Sequence, residues 1–181
     1  RQSAAMGLGN FTSPEIPQLL VPLGQDAQWQ VRQAAALSLG NFDQSQTIDY
    51  LKPLLADKQL EVSVAAVNSL GSLTVPQAPE LLGSLAQDNR WEIRQAAALS
   101  LSNFNQPQTI DYFKPFLDDT YWQVRQAAAL SLGNFDQPQT IDYLKPLLNY
   151  YKWEVKVAAV NSLGNFNDPQ IVGLLTPSLK D

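Results

Sequence analysis

The sequence has no cysteine and no histidine among its 181 residues. Without cysteine there are no disulfides, no thiolate nucleophile and no thiolate metal site. That fits a reducing compartment, so a cytoplasmic protein is expected. Without histidine the chain lacks the commonest general base and metal ligand, and no serine has an imidazole to activate it. Charge is also sparse. Only 16% of residues are charged, and the 12 lysines and arginines are outnumbered by 17 acids, for a net charge of -5. A phosphate-binding groove draws its affinity from clustered cations, so nucleic acid is not an expected partner. No apolar run approaches the roughly 20 residues that span a bilayer, and no basic amphipathic stretch suggests a membrane surface. A glycine-rich phosphate loop is missing as well: GLGNF closes a helical pattern instead of opening one. The chain opens at Arg1 with no signal-like segment and reads as a slice of a longer array.

What the sequence does have is repetition. The stretch WQVRQAAALSLGNFDQSQTIDYLKPLL, Trp29 to Leu55, returns at Trp122 to Leu148 with only Ser45 replaced by Pro138. Alignment places Trp29, Leu60, Trp91, Trp122 and Trp153 in register, each 31 residues after the last. A fixed period of this length marks an array of helical modules. In each module Val124, Ala128, Leu132 and Phe135 exemplify the apolar stripe of a first helix. Ile141, Leu144, Leu147 and Leu148 exemplify that of a second. Gly133 and Asn134 are expected to end the first helix, with glycine supplying a positive φ. Ser13-Pro14 and Asp168-Pro169 read as helix caps followed by proline in the first turn. Proline recurs inside the second helix at Pro22, Pro53, Pro115, Pro146 and Pro177, with Ser84 as the exception, and is expected to kink it. The expected fold is all-α: a right-handed α-solenoid of two-helix repeats. It forms one array over 1–181, with repeats at 29–59, 60–90, 91–121 and 122–152 and partial repeats at 1–28 and 153–181.

The Asp-x5-Arg-x2-Ala-Ala-x2-Leu-Gly pattern carries a resemblance. It occurs at Asp119, Arg125, Ala128, Ala129, Leu132 and Gly133, and again at Asp26, Arg32, Ala35, Ala36, Leu39 and Gly40. This resembles HEAT-like repeats of the phycobilisome-lyase type. The resemblance implies a ladder of partly exposed ion pairs between adjacent repeats, formed by Asp26, Asp88 and Asp119 with Arg32, Arg94 and Arg125. It also implies breaks where Ser63, Tyr150 and Lys156 stand at ladder positions. Among relatives of known activity, the deoxyhypusine hydroxylases need His-Glu pairs that this chain lacks, and the DNA glycosylases need a basic groove that its charge opposes.

In such arrays the first helix lines a concave face. The positions expected to meet a partner there are Trp29, Gln30, Gln33 and Leu37; Leu60, Glu61 and Asn68; Trp91, Glu92, Gln95 and Leu99; Trp122, Gln123, Gln126 and Leu130; and Trp153, Glu154 and Asn161. Ala34, Ala96 and Ala127 fall on the same face. Tryptophan is a favoured interface anchor, yet each could equally cover a junction between repeats; both readings stay open. Tyr50, Tyr112 and Tyr143 read as packing residues of the second helix. Asp49, Asp111 and Asp142 read as surface partners of Lys52, Lys114 and Lys145. The functional expectation is a non-catalytic scaffold that binds another protein or peptide, with no cofactor and no metal. Two alternatives are a bilin lyase subunit or tetrapyrrole-handling chaperone, and the sensor arm of a larger signalling ATPase.

Overall fold

The computed structural model describes residues 1–176, and the expected kink at Pro177 lies outside them. Every regular element among the described residues is helical, and the chain divides into two compact units, Arg1–Leu85 and Ala86–Asp181. The first unit holds α1 (Gln2–Leu8), α2 (Ile16–Leu20), α3 (Trp29–Leu39), α4 (Ser45–Leu55), α5 (Leu60–Leu70) and α6 (Gln77–Ser84). The second holds α7 (Trp91–Leu101), α8 (Lys114–Leu117), α9 (Trp122–Leu132), α10 (Pro138–Leu144), α11 (Trp153–Leu163) and α12 (Pro169–Leu175).

The five full first helices, α3, α5, α7, α9 and α11, begin at the five residues in register and run 11 residues each. Within the first unit α3 packs between α1 and α5; within the second α9 packs between α7 and α11. The stripe Val124, Ala128, Leu132 and Phe135 is buried, as are Ile141, Leu144, Leu147 and Leu148 opposite it. A single helix pair has no partner for its outer flank, so burial comes from neighbouring pairs.

The recurring proline acts differently from expectation. Pro53 sits inside an unbroken α4, whereas Pro22, Pro115 and Pro146 stand where α-helix and 3₁₀-helix meet. Missing an N–H costs one i→i−4 bond, which the tighter 3₁₀ turn does not need. Ser84 stands at this register without proline, and there too α6 ends and a 3₁₀ turn follows at Leu85–Gln87. A change of helix type at this register thus occurs with or without proline, while α4 passes through Pro53 unbroken. Asp168 caps α12 as expected, accepting from Gln170 N–H at 2.9 Å, with Pro169 in the first turn. Ser13 does not cap: α2 starts later, after Glu15.

Gly133 also departs from expectation, because no glycine among the described residues has positive φ. Close approach explains it. A Cβ on Gly40 would stand 2.8 Å from Ser69 Oγ and 3.0 Å from its Cα, and Gly133 meets Ser162 at the same two distances. The facing serines use this proximity: Ser38, Ser69 and Ser162 donate to the carbonyls of Ala5, Ala36 and Ala129 at 2.9, 2.9 and 2.8 Å. At the α7–α9 junction Ser102 replaces the glycine, and the buried hydroxyl of Ser131 has no partner.

The ion-pair ladder forms, and two of its rungs are buried where partial exposure was expected, while the Arg1 rung is half exposed. Arg32 grips Asp57 through Nε and Nη2 at 2.6 and 2.8 Å, and Arg94 grips Asp119 at 2.5 and 2.9 Å. Arg1 reaches Asp26 at 2.5 Å. Each buried arginine also donates to the backbone carbonyl of the aspartate six residues before it: Arg32 to Asp26 at 2.8 Å and Arg94 to Asp88 at 2.8 Å. Each aspartate has a second duty unnoticed in the sequence. Its carboxylate accepts the N–H two residues on, from Gln28, Gln59, Arg90 or Tyr121, which fixes the entry into the following helix. The hydrogen bond from Arg32 holds the Asp57 carboxyl below the usual carboxylate range against the opposing effect of burial. For Asp119 burial is the largest influence and pushes upward, but the Arg94 fork, the Tyr121 N–H and two guanidinium charges outweigh it and leave it depressed.

The ladder changes at the positions the sequence marks. Ser63 cannot make a rung, but its hydroxyl donates to the Asp57 carbonyl at 3.1 Å, as the arginines do. Asp88 is bound by Arg90 in its own repeat at 2.8 Å. Arg125 has the ring of Tyr150 where a carboxylate would be, 4.6 Å from its guanidinium carbon, and its Nε has no hydrogen-bond partner.

Candidate partner-binding face

The face expected to bind is built from the first three turns of each first helix. A 3.6-residue period puts positions one, two, five and nine of the helix on adjoining rows. In the first unit α3 and α5 leave a groove of about 280 Å³, lined by Gln33, Leu37, Leu60, Glu61, Val64, Ala65 and Asn68. Five of these are residues singled out by the sequence. Trp29 lies half-buried and Gln30 exposed on the same helix.

In the second unit Leu99 and Leu130 are exposed, as Leu37 is in the first. Glu92, Gln95, Gln123 and Gln126 are half-buried, and Asn161 is exposed. Trp91 is stacked on Tyr121, with ring centroids 5.9 Å apart and planes 10° from parallel. Tyr121 precedes Trp122 directly, and its role was not read from the sequence. Trp122 is half-buried like Trp91, whereas Trp153 leaves 68% of its surface exposed. The tryptophans thus divide: one covers a neighbouring ring and one stands open. Ala34, Ala96 and Ala127 were placed on the face but are buried beneath it. They lie on the flank of the helix, and with no side chain beyond Cβ they are covered by the adjacent helix.

The face is rich in acceptors. Glu154 Oε2 and Gln123 Oε1 are buried and have no hydrogen-bond donor. Its helices' arginines are turned away into the ladder.

The second helices carry smaller hollows. In the first unit the 3₁₀ turn after α2 and helix α4 enclose about 80 Å³ beside Asp49, Tyr50 and Pro53. In the second the equivalent Asp142, Tyr143 and Pro146 border about 150 Å³. Between α4 and α6, where Leu81 and Ser84 replace tyrosine and proline, the hollow widens to about 260 Å³. Tyrosine here also ties repeats together, since the Tyr143 hydroxyl and Gln139 both meet Asp111, at 3.1 and 2.6 Å. Asp111 is engaged there, while Asp49 pairs with Lys52 at 2.9 Å as expected. No helix among the described residues is long and apolar enough to cross a membrane.

Stacked helix pairs joined by buried Arg–Asp rungs, with a groove between the first helices α3 and α5, define an α-solenoid repeat protein. The profile of HEAT repeats matches residues 1–63, 60–129 and 113–181, and the chain belongs to that family. Among solved structures it is similar to the complex of CpcE and CpcF of phycocyanin lyase from Nostoc sp., at 22% identity and a TM-score of 0.68 over 95% of this chain and 73% of that one. It is also similar to computationally designed armadillo repeat proteins for modular peptide recognition, at 22% identity and a TM-score of 0.54 over 92% and 93% of the two chains. A designed armadillo repeat protein in complex with peptide (KR)4 matches at 20% identity and a TM-score of 0.57, over 92% and 91%. These likenesses establish the shared fold. No curated protein matches the chain.

Proposed function

We propose that the chain is a non-catalytic interaction scaffold that binds another protein or a peptide on the face of its first helices. The observation that carries this reading is the groove lined by Gln33, Leu37, Leu60, Glu61 and Asn68. At about 280 Å³ it suits one or two side chains of a larger partner better than a free small molecule, whose sites run larger. Exposed Leu37, Leu99 and Leu130 supply apolar contact, and the amides of Gln33 and Asn68 can pair with a peptide backbone. Peptides selected from a random phage library on the immobilised chain test the reading. Leu37→Ser should reduce capture of the selected peptides by roughly ten-fold while the melting temperature stays put. Peptides that ignore this substitution, and ignore Trp91→Ala and Trp122→Ala as well, would place binding elsewhere.

A second reading rests on the likeness in fold to phycocyanin lyase: a tetrapyrrole-handling protein. Mixing with phycocyanobilin should then shift the pigment's visible band, and an unchanged spectrum argues against it.

A further inference from the structure

We propose that the first-helix face of each unit receives a cationic segment, a lysine or arginine side chain meeting Glu61 in the first unit and, separately, Glu154 in the second, with an apolar side chain beside the cation at Glu61 seated in the groove between Leu37 and Leu60. This rests on the scaffold reading above and specifies its partner.

The charge on the face has one sign. At the second position of the first helices stand Gln30, Glu61, Glu92, Gln123 and Glu154, and none of the face positions is lysine or arginine. The arginines these helices do carry are spent on the ladder: Arg32 on Asp57, Arg94 on Asp119, and Arg125 on the Asp119 carbonyl and the Tyr150 ring. The nearest other cations in sequence are Lys58, Arg90 and Lys152, which precede their helices, and Lys156, which stands in α11 at the position the ladder arginines hold in α3, α7 and α9; Arg90 is bound to Asp88.

First-turn glutamates also favour the positive end of their own helix, which is a reason for them without any partner. Yet α3 and α9 have no acid in the first turn and form helices of the same length, so the helices do not need one. Glu154 adds an independent sign. Its Oε2 is buried with no donor, as is Gln123 Oε1 on the preceding first helix. An amide can flip and offer N–H in place of oxygen, but a carboxylate has only acceptors. Burying an unpaired acceptor is costly, and a partner's ammonium or guanidinium group against the exposed part of the half-buried Glu154 would offset that cost by neutralising its charge. In the first unit Glu61 stands on the rim of the apolar groove, so the fitting segment carries its cation next to an aliphatic side chain.

Fluorescence anisotropy with three labelled nonapeptides tests this: (Lys-Leu-Ser)3, (Glu-Leu-Ser)3 and (Lys-Gly-Ser)3. The first should bind roughly ten-fold tighter than either other, and more weakly as salt rises. Glu61→Gln with Glu154→Gln should cost it roughly five-fold or more. Asp49→Asn with Asp142→Asn removes the same charge from exposed second-helix sites and should change nothing. Equal binding of the glutamate peptide overturns the charge assignment, and so does equal loss in the two double variants. In those cases Leu37→Ser decides the scaffold reading separately: if it still weakens binding the face stands with another chemistry, and if it has no effect both readings fall.

Discussion

Arg32, Arg94 and Arg125 occupy equivalent positions and are equally buried, at 8% exposure each, but only the first two have a carboxylate to hold. A buried ion pair adds little over a hydrophobic pair of the same shape, whereas removing one member leaves an uncompensated charge. Asp57→Asn should therefore lower unfolding free energy by about 3 kcal/mol in urea titrations, and Arg32→Met with Asp57→Leu should lower it less. Arg125 presents the reverse case. Tyr150 has φ and ψ of -71° and 140°, close to the -61° and 146° of Asp26, so an aspartate there needs no backbone change. Tyr150→Asp should stabilise the chain by about 1 kcal/mol, once the lost cation–π contact is set against two charge-assisted bonds. An unmoved urea midpoint would mean the ring already satisfies the arginine. The ladder was expected from the resemblance its repeated Asp-x5-Arg pattern carries, and Arg32, Arg94 and Asp119 stand in rungs as expected, whereas Asp88 and Arg125 do not. The burial of the rungs was not legible in the sequence, because depth depends on the neighbouring repeat covering them.

At the scale of the helix, the start of every full first helix could be read from the 31-residue register, and so could both apolar stripes. Gly133 and the prolines were misread for a shared reason. A glycine at a helix end signals either unusual φ or a close neighbour, and only the position of Ser162 in space separates the two. Gly40→Ala should cost about 2 kcal/mol, since its Cβ would meet the Ser69 backbone as well as its side chain. Gly7→Ala, in α1 with nothing within 4 Å of the new atom, should be neutral or stabilising by roughly 0.5 kcal/mol. Thermal melts of the two variants would settle whether contact or conformation governs these glycines. On the candidate face, the resemblance chose the first helix and the period then picked out Leu37, Leu60, Glu61 and Asn68, which line one groove. The buried alanines were misplaced because a helical wheel shows direction without showing how close the next helix comes.

For the molecule as a whole, acid should be the effective denaturant. Asp57, Asp88 and Asp119 all titrate below their ordinary range when folded, held there chiefly by arginine hydrogen bonds. The unfolded chain then binds protons more readily than the folded one. The stability these carboxylates contribute is present in full above the unfolded value of about 3.9 and is lost as pH falls through the folded values. Circular dichroism should show melting temperatures level near neutrality and falling steeply below about pH 4. A flat profile would mean the rungs add nothing. The family could be read from sequence because a repeat writes its fold many times over. A partner could be read only as far as chemical sign and shape, since a docking surface records complementarity and not identity. The tyrosine that faces Arg125 has one more consequence. The hairpin of α11 and α12 joins its neighbour without a carboxylate clamp, so its amide hydrogens should exchange with deuterium before those of α9, and unravelling should begin at that end.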